Sequence, residues 1–244
     1  MTTPDLRAFA TGIRFRWLQP GRPLAPWDLR WLHQLERLHY PVDLVITRLP
    51  GQRLRLRRLL RPLCLMPRMS TFAIAAVINR AVALMPRDAA FVNVGVWHGF
   101  TFLAGMAGNR ERRCIGVDDF SQFGGPRDAF LARFERHRSA CHAFHEMDYR
   151  AYFAERHEGS IGVYLYDGEH SYDNQLRGLE TAEPFFAPGC VIVVDDTNLA
   201  EPRRATLDFM ARRPGRYDIL LDRTTAGNAH PTFWNGLLVF QRAD

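Results

Sequence analysis

Short apolar runs alternate with longer mixed stretches from about residue 70 to the end of the chain. Each run has the length of a β-strand, and each stretch between two runs is long enough for a helix. We predict strands at 89–96, 112–120, 141–149, 161–170, 188–198, 217–223 and 233–242. We predict helices at 70–85, from Phe100, at 126–139, shortly after 149, up to about Phe186 and at 202–212. Strands that alternate with helices predict a mostly parallel sheet with helices on both faces.

The first 68 residues lack this alternation and are rich in Arg, Pro and Trp. The run RLRLRRLLRPLCLMPR, at 53–68, interleaves leucine with arginine, and Pro62 interrupts any long helix. We interpret 1–68 as an extension that packs on the main domain, 69–244, or on a second subunit, which predicts a homo-oligomer. Peripheral contact of 53–68 with an anionic membrane surface, or contact with an anionic substrate, is the alternative.

The composition indicates which binding partners and which cellular compartment to expect. The chain has a net charge of +6, and all 32 basic residues are arginine. No helix-turn-helix, RNP or zinc pattern accompanies this charge, so we expect no nucleic-acid partner. The N-terminus has no uninterrupted apolar region of the kind found in secretory signals. Four scattered cysteines predict reduced thiols in a cytoplasmic protein, at positions 64, 114, 141 and 190.

Acidic residues follow several of the predicted strands. Asp167 ends the fourth strand, and the pair Asp195 and Asp196 ends the fifth. Ligands of parallel α/β sheets bind beyond the carboxyl ends of the strands, so these ends predict a site. Three converging carboxylates repel one another unless a cation neutralises them, and oxygen ligands favour Mg, Ca or Mn. The alternative is that Asp196 caps the next helix and Asp167 faces solvent.

A glycine turn follows the first predicted strand. The stretch NVGVWHGFT, 93–101, has Gly95 and Gly99 where a ligand could approach the backbone closely. It is not GxGxxG, so the dinucleotide-phosphate fingerprint is absent. Asp118 follows about twenty residues later, where an acid commonly accepts hydrogen bonds from ribose hydroxyls. Its neighbour Asp119 competes for this role, and an ordinary strand-to-helix turn remains the alternative for the glycines.

Five stretches together resemble the class I S-adenosylmethionine-dependent methyltransferases. They are VGVWHGFT, IGVDDF, YDGEHSYDNQLRGLE, PGCVIVVDDTN and FWNGLLVF, within residues 70–242. Within that class they are similar to the macrocin O-methyltransferase and cephalosporin-hydroxylase-like families. The resemblance implies a Rossmann-like, doubly wound, seven-stranded sheet whose last strand is antiparallel. It also implies a divalent metal, usually Mg, that Asp167, Asp195 and Asp196 hold.

The resemblance also implies residues for the cofactor and for the chemistry. The predicted cofactor residues are Asn93, Gly95, His98, Gly99, Thr101, Asp118, Asp119 and Asp148. Asn93 stands where the family often has an acid, His98 is expected near the cofactor's carboxylate, and Asp148 near its adenine amino group. Related catechol methyltransferases use a lysine base, and this chain contains no lysine. His170 is therefore the candidate base or metal partner, with a helix-capping role as its alternative.

These features predict a metal-dependent O-methyltransferase. The acceptor implied by the resemblance is a hydroxyl of a sugar, a glycan or a glycosylated natural product. One alternative is a non-catalytic binding or assembly module with the same fold, which Asn93 and the unusual extension would suit. The other is a nicotinamide-dependent oxidoreductase, against which the missing GxGxxG and the acids of the fourth and fifth strands argue.

Overall fold

The computed structural model describes residues 3–37, 40–52 and 54–243, and it contains two β-sheets. The strands are β1 Arg14–Phe15, β2 Thr47–Arg48, β3 Ala90–Val94, β4 Arg113–Asp118, β5 His142–Glu146, β6 Ile161–Tyr166, β7 Phe186–Asp195, β8 Tyr217–Arg223 and β9 Leu237–Arg242. The α-helices are α1 Thr3–Gly12, α2 Pro26–Arg37, α3 Val42–Ile46, α4 Leu54–Leu60, α5 Phe72–Leu84, α6 Phe100–Met106, α7 Arg127–His137, α8 Tyr149–Glu155, α9 Tyr172–Ala182 and α10 Ala200–Ala211.

The main sheet has seven strands in the order β5-β4-β3-β6-β7-β9-β8. Strands β3 to β7 are parallel to their neighbours, whereas β9 is antiparallel to both β7 and β8. The predicted doubly wound sheet with an antiparallel last strand is thereby confirmed. The predicted strand 233–242 is too long, because Trp234 and Gly236 have positive φ values of 51° and 93°. That turn conformation cannot continue a strand, so β9 begins at Leu237.

Apolar cores lie on both faces of the sheet. In β6 all six residues are buried, and alternate side chains point to opposite faces. Val163 and Leu165 pack with α5 and α6, whereas Tyr164 and Tyr166 pack with α8 and α9. The chain order reverses between the adjacent strands β3 and β6. Ligands of open α/β sheets bind at such a reversal, so the fold directs attention to the carboxyl ends of these two strands.

The N-terminal segment, which comprises the described residues before α5, is part of the main core. Leu6 and Phe9 of α1 are buried in the same cluster as α5, and the Phe15 ring meets the edge of Phe233 at 5.3 Å. Residues 1, 2, 38, 39 and 53 of the predicted extension lie outside the described residues. In the arginine–leucine run, Arg57 donates to the carbonyls of Leu44 and Thr47, so this arginine serves internal structure.

A buried ion pair joins this segment to the start of α5. Arg68 donates to both carboxylate oxygens of Asp43, at 2.9 and 2.7 Å. The backbone N–H of Phe72, in the first turn of α5, donates to the same carboxylate at 2.5 Å. The Arg68 guanidinium also lies 5.1 Å from the centre of the Phe100 ring in α6. One carboxylate therefore ties the segment to α5, and its arginine partner contacts α6.

All four cysteines are free, with Cys141 exposed and the other three buried. No helix in the described part of the chain is long and apolar enough to cross a membrane.

Replacing Asp43 by alanine should lower the free energy of unfolding by about 3 kcal/mol, because the Arg68 charge would stay buried without its partner. Asp5→Ala is the matched control, since Asp5 pairs with Arg80 but half of its side chain is exposed. The control should cost less than about 1 kcal/mol. Urea denaturation measures both values, and equal losses would contradict the role given to the Asp43–Arg68 pair.

Candidate active site

A cavity of about 620 Å³ opens at the carboxyl ends of β3, β4, β6 and β7. It is bounded by the glycine turn, the loop after β4, the acidic turn after β6, the loop between β8 and β9, and the end of the N-terminal segment. The lining residues are 68–70, 94–97, 100, 101, 117–123, 147–150, 166–170, 174, 196, 228, 229, 234 and 235.

Asp167, His170 and Asp196 form a half-buried cluster in this cavity. The Nε2 of His170 donates to Oδ2 of Asp196 at 2.8 Å and lies 4.0 Å from Oδ1 of Asp167. One ligand atom from each residue lies within 4.8 Å of the other two, which is close enough for a shared ion. Within the described part of the chain, the buried Oδ1 of Asp196 and Nδ1 of His170 have no hydrogen-bond partner.

The cluster is electrostatically strained. Burial, followed by the negative charge of Asp196, raises the pKa of Asp167 to about 7, and His170 opposes this shift. Burial lowers the pKa of His170, but its hydrogen bond to Asp196 and the charge of Asp167 raise that pKa overall. The carboxylates thus hold a proton or attract a cation, and the unpartnered Asp196 Oδ1 is suited to a metal ligand.

Asp195 lies behind this cluster rather than in it. It is 3% exposed at the end of β7, and its Oδ1 accepts the backbone N–H of Asp196 at 2.8 Å. That bond holds Asp196 at φ 56°, a conformation that costs a non-glycine residue about 1–3 kcal/mol. Burial, then the charges of Asp196 and Asp167, raises the pKa of Asp195 well above its usual value. The structure thus brings Asp167 and Asp196 together with His170, and gives Asp195 a positioning contact.

The glycine turn and the acidic turn touch through their backbones. Gly95 has φ +77°, and a Cβ at this position would lie 2.0 Å from the carbonyl oxygen of Asp167. The backbone N–H of Asp167 donates to the carbonyl of Val94 at 2.9 Å. The absence of a side chain at Gly95 therefore sets where Asp167 can lie.

Asn93 supports this turn from inside the protein. It is fully buried, its Nδ2 donates to the carbonyl of Gly95 at 2.8 Å, and its Oδ1 accepts the hydroxyl of Thr101 at 3.1 Å. A carboxylate could not donate to the Gly95 carbonyl, which gives a physical reason for asparagine here. Asn93 lies behind the wall, whereas Thr101 belongs to the lining.

Asp118 binds the backbone of the same turn. Its Oδ2 accepts the N–H groups of Val96 and Trp97 at 2.7 and 2.8 Å, and its Oδ1 accepts Phe120 N–H at 2.8 Å. A carboxylate can accept about four hydrogen bonds, so about one acceptor position of Asp118 remains free for a ligand. Asp119 is exposed, and its Oδ1 accepts both the backbone N–H and the hydroxyl of Ser121. Both aspartates line the cavity.

Of the other predicted cofactor residues, Asp148 lines the cavity, whereas His98 and Gly99 do not. Asp148 lines the cavity and caps α8, accepting Arg150 N–H at 2.9 Å. Its pKa is lowered first by the side-chain hydrogen bond from Arg150. His98 is partly exposed and does not line the cavity; its Nδ1 lies 3.1 Å from Nη1 of Arg133, and burial followed by the charge of Arg133 lowers its pKa. Gly99, at φ +94°, directly precedes α6, and a Cβ at this position would lie 2.8 Å from the Phe130 ring.

Sequence reasoning missed two parts of the lining. Arg68 and Ser70 come from the end of the N-terminal segment, and Trp234 and Asn235 come from the loop before β9. No spacing rule connects these stretches, because tertiary contacts alone bring them together. The one available signal was the FWNG sequence, 233–236, which contains turn residues that a strand would not favour.

Gly95→Ala should lower the free energy of unfolding by about 3 kcal/mol or more, since the new methyl group meets the Asp167 carbonyl in a left-handed backbone. Gly215→Ala is the matched control, because Gly215 has φ +74° and no atom within 4 Å of an added Cβ. The control should cost only the backbone term of about 1–2 kcal/mol. Equal losses in urea denaturation would mean that the contact with Asp167 is unimportant.

The chain is similar to a known protein family and to solved structures. The methyltransferase-domain family matches residues 92–197, from β3 to just past β7. The cofactor-bound Rv0187 protein from MTB is 15% identical with a TM-score of 0.58, covering 91% of this chain and 100% of its own. An O-methyltransferase from Bacillus cereus in complex with SAH is 14% identical with a TM-score of 0.56, covering 79% of this chain and 92% of its own. No curated protein sequence matched the chain.

The two likenesses are at the level of fold, and the family match covers the strands that carry the acidic cluster. The reversal between β3 and β6, the antiparallel β9 and the glycine turn agree with the resemblance found in the sequence. Residues 92–197 of this chain thus match a methyltransferase-domain family, within a fold similar to that of the two solved structures.

Proposed function

We propose that this chain is a methyltransferase that transfers a methyl group from S-adenosylmethionine to a hydroxyl oxygen, with a divalent cation, Mg or a similar ion, held at the acidic cluster. The observation that carries the proposal is the cluster of Asp167, His170 and Asp196 in the cavity that the glycine turn also lines. The likeness to the Bacillus cereus O-methyltransferase supports the same reaction class. The acceptor is a sugar, a glycan or a glycosylated natural product.

The cofactor's site is the part of the cavity lined by Gly95, Asp118 and Asp148. Gly95 leaves room for close approach, and Asp118 retains about one free acceptor direction for a hydroxyl. Asp148 is held rigidly by Arg150 at the start of α8, which suits a polar contact with an amino group. S-adenosylmethionine would supply an electrophilic methyl group, and Asn93 and Thr101 would act by keeping the turn in shape.

The acidic cluster suits a hard cation. Asp167 and Asp196 offer carboxylate oxygens, of which Asp196 Oδ1 is buried and has no hydrogen-bond partner in the described part of the chain. A bound divalent ion would relieve their repulsion, orient an acceptor's hydroxyls and stabilise the developing alkoxide. Asp195, predicted as a third ligand, supports this site through the backbone of Asp196.

His170 is the proposed general base. Its Nε2 faces both carboxylates, so a hydroxyl oriented at the cluster can release its proton to that nitrogen. This step requires the neutral imidazole with its hydrogen on Nδ1, and the observed 2.8 Å bond from Nε2–H to Asp196 Oδ2 is that of the protonated form. Asp196 thereby holds the imidazole in place and stabilises its charged form. Methyl transfer needs little more from the protein than alignment and exclusion of water.

Other expectations stay predictions alongside this proposal. They are the macrocin-like subfamily, a cytoplasmic location, a homo-oligomer, the absence of a nucleic-acid partner, membrane contact through 53–68, and the boundary between extension and domain at residue 68. The alternative of a non-catalytic module loses one support, because Asn93 has a structural reason in the hydrogen bond to Gly95.

The reaction is tested by calorimetric binding of S-adenosylmethionine and by mass spectrometry on a panel of glycosides. We expect cofactor binding, and methyl transfer that stops when EDTA removes divalent ions. Asp167→Asn and Asp196→Asn should each lower transfer about 100-fold or more, because a ligand oxygen loses its charge. Asp173→Asn, an exposed acid of α9, should leave the rate unchanged. Cofactor-dependent transfer that survives EDTA would refute the metal proposal, and no cofactor binding would refute the whole assignment.

The pKa of Asp167 predicts a pH-dependent response to Mg²⁺. Since burial raises this pKa to about 7, the stability that its proton confers is lost as the pH rises through 7. Without divalent ions, we expect Tm to fall between pH 6 and pH 8, and Mg²⁺ should raise Tm more at pH 8. Asp167→Asn should remove most of that difference in differential scanning calorimetry. Equal Mg²⁺ shifts at the two pH values in the unsubstituted protein would contradict this account.

A further inference from the structure

A second cavity, of about 300 Å³, adjoins the candidate active site. Four residues line both cavities, namely Arg68, Ser70, Ala229 and Trp234. The second cavity therefore shares a wall with the cavity that contains the acidic cluster. Its volume lies at the lower end of the range for pockets that take small organic molecules.

The walls of the second cavity are mainly apolar. The apolar side chains of the lining include Leu32, Val42, Leu65, Met66 and Pro231, and the half-exposed Tyr40 also lines the cavity. The two charged residues among the described lining, Asp43 and Arg68, neutralise each other through their bidentate ion pair. The cavity thus offers apolar surface without net charge, which favours a neutral apolar or aromatic group.

One buried polar group has no partner at the junction of the two cavities. Ser70 is 4% exposed, and its hydroxyl makes no hydrogen bond to any of the residues described. A buried hydroxyl that lacks a partner is costly, so such groups usually meet a ligand or an ordered water. The position of Ser70 in the walls of both cavities points to a ligand that passes from one into the other.

We propose that the second cavity is an acceptor subsite that holds the apolar, ring-bearing aglycone of a glycoside. The inference rests on the proposed O-methyltransferase function and names its acceptor class. The sugar lies in the first cavity near Asp167, and the Ser70 hydroxyl donates to an oxygen at the link between sugar and aglycone. An acidic or phosphorylated glycan would leave the apolar walls unfilled.

The N-terminal segment thereby becomes a determinant of specificity. It supplies Leu32, Val42 and Leu65 to the walls, and the loop before β9 supplies Pro231 and Trp234. The two are tied together, since Thr71 Oγ1 donates to the carbonyl of Thr232 at 2.7 Å and His230 Nε2 lies 3.2 Å from the carbonyl oxygen of Arg22. These contacts fix the cavity's shape before any acceptor arrives.

The test uses matched pairs of 4-methylumbelliferyl and methyl glycosides of glucose, galactose, rhamnose and xylose. Each compound is titrated calorimetrically into the full chain with SAH and Mg²⁺ present. For at least one sugar, the aryl glycoside should bind about 10-fold more tightly than the methyl glycoside, because its ring is buried. If no sugar shows a preference for the aryl form, including the case where nothing binds, the proposal is overturned.

Three variants test whether the second cavity is the cause of the preference for aryl glycosides. Leu65→Asp, which puts a charge on an exposed part of the wall, should reduce the aryl preference to about 2-fold or less. Leu54→Asp is the control, since Leu54 is similarly exposed but lines neither cavity. Ser70→Ala should weaken aryl glycoside binding by about 3- to 10-fold through its lost hydrogen bond. An aryl preference that Leu65→Asp leaves intact would also overturn the subsite.

Binding of SAH distinguishes a failure of the subsite from a failure of the proposed function. All three variants should bind SAH as the unsubstituted protein does. A protein that binds SAH but shows no aryl preference contradicts the subsite alone. A protein that does not bind SAH contradicts the proposed function and, with it, the subsite.

Discussion

Repulsion between carboxylates at the ends of β6 and β7 is the constraint around which this site is built. Asp167 and Asp196 sit close together in a half-buried position, with His170 as their one observed cationic partner among the described residues. Such an arrangement is unfavourable without a proton or a cation. The surrounding fold therefore has to hold these groups in place, and the contacts of Asp195 and Gly95 do so.

The supporting contacts are mostly to the backbone. Asp195 fixes the strained backbone of Asp196, and the bare Cα of Gly95 lets the glycine turn lie against the Asp167 carbonyl. Asn93 and Asp118 then hold the glycine turn from two sides. Maintaining this geometry requires particular side chains at Asn93 and Asp195, which do not line the cavity. The proposed cofactor site and the acidic cluster thus share one set of supports.

The periodicity of the sequence was sufficient to predict the sheet, and it directed attention to the strand ends where the candidate site lies. Apolar runs such as IGVYLY and VIVVD are buried, so they can be recognised as strands, although the predicted strands 161–170 and 188–198 run past the observed ends at Tyr166 and Asp195. The different roles of Asp167, Asp195 and Asp196 could not be predicted from the sequence, because they depend on the direction in which each side chain points at the end of its strand. The part played by residues 68–70 and 228–235 depends on long-range packing, which no local pattern encodes.

The central claim is that Asp167 and Asp196, with His170 beside them, hold one divalent ion. Electron paramagnetic resonance with Mn²⁺ tests this directly, because the signal of free Mn²⁺ falls as the ion binds. The account predicts one bound Mn²⁺ per chain in the unsubstituted protein and a loss of that binding in Asp196→Asn. Equal Mn²⁺ binding by both proteins, or none by the unsubstituted one, would contradict it.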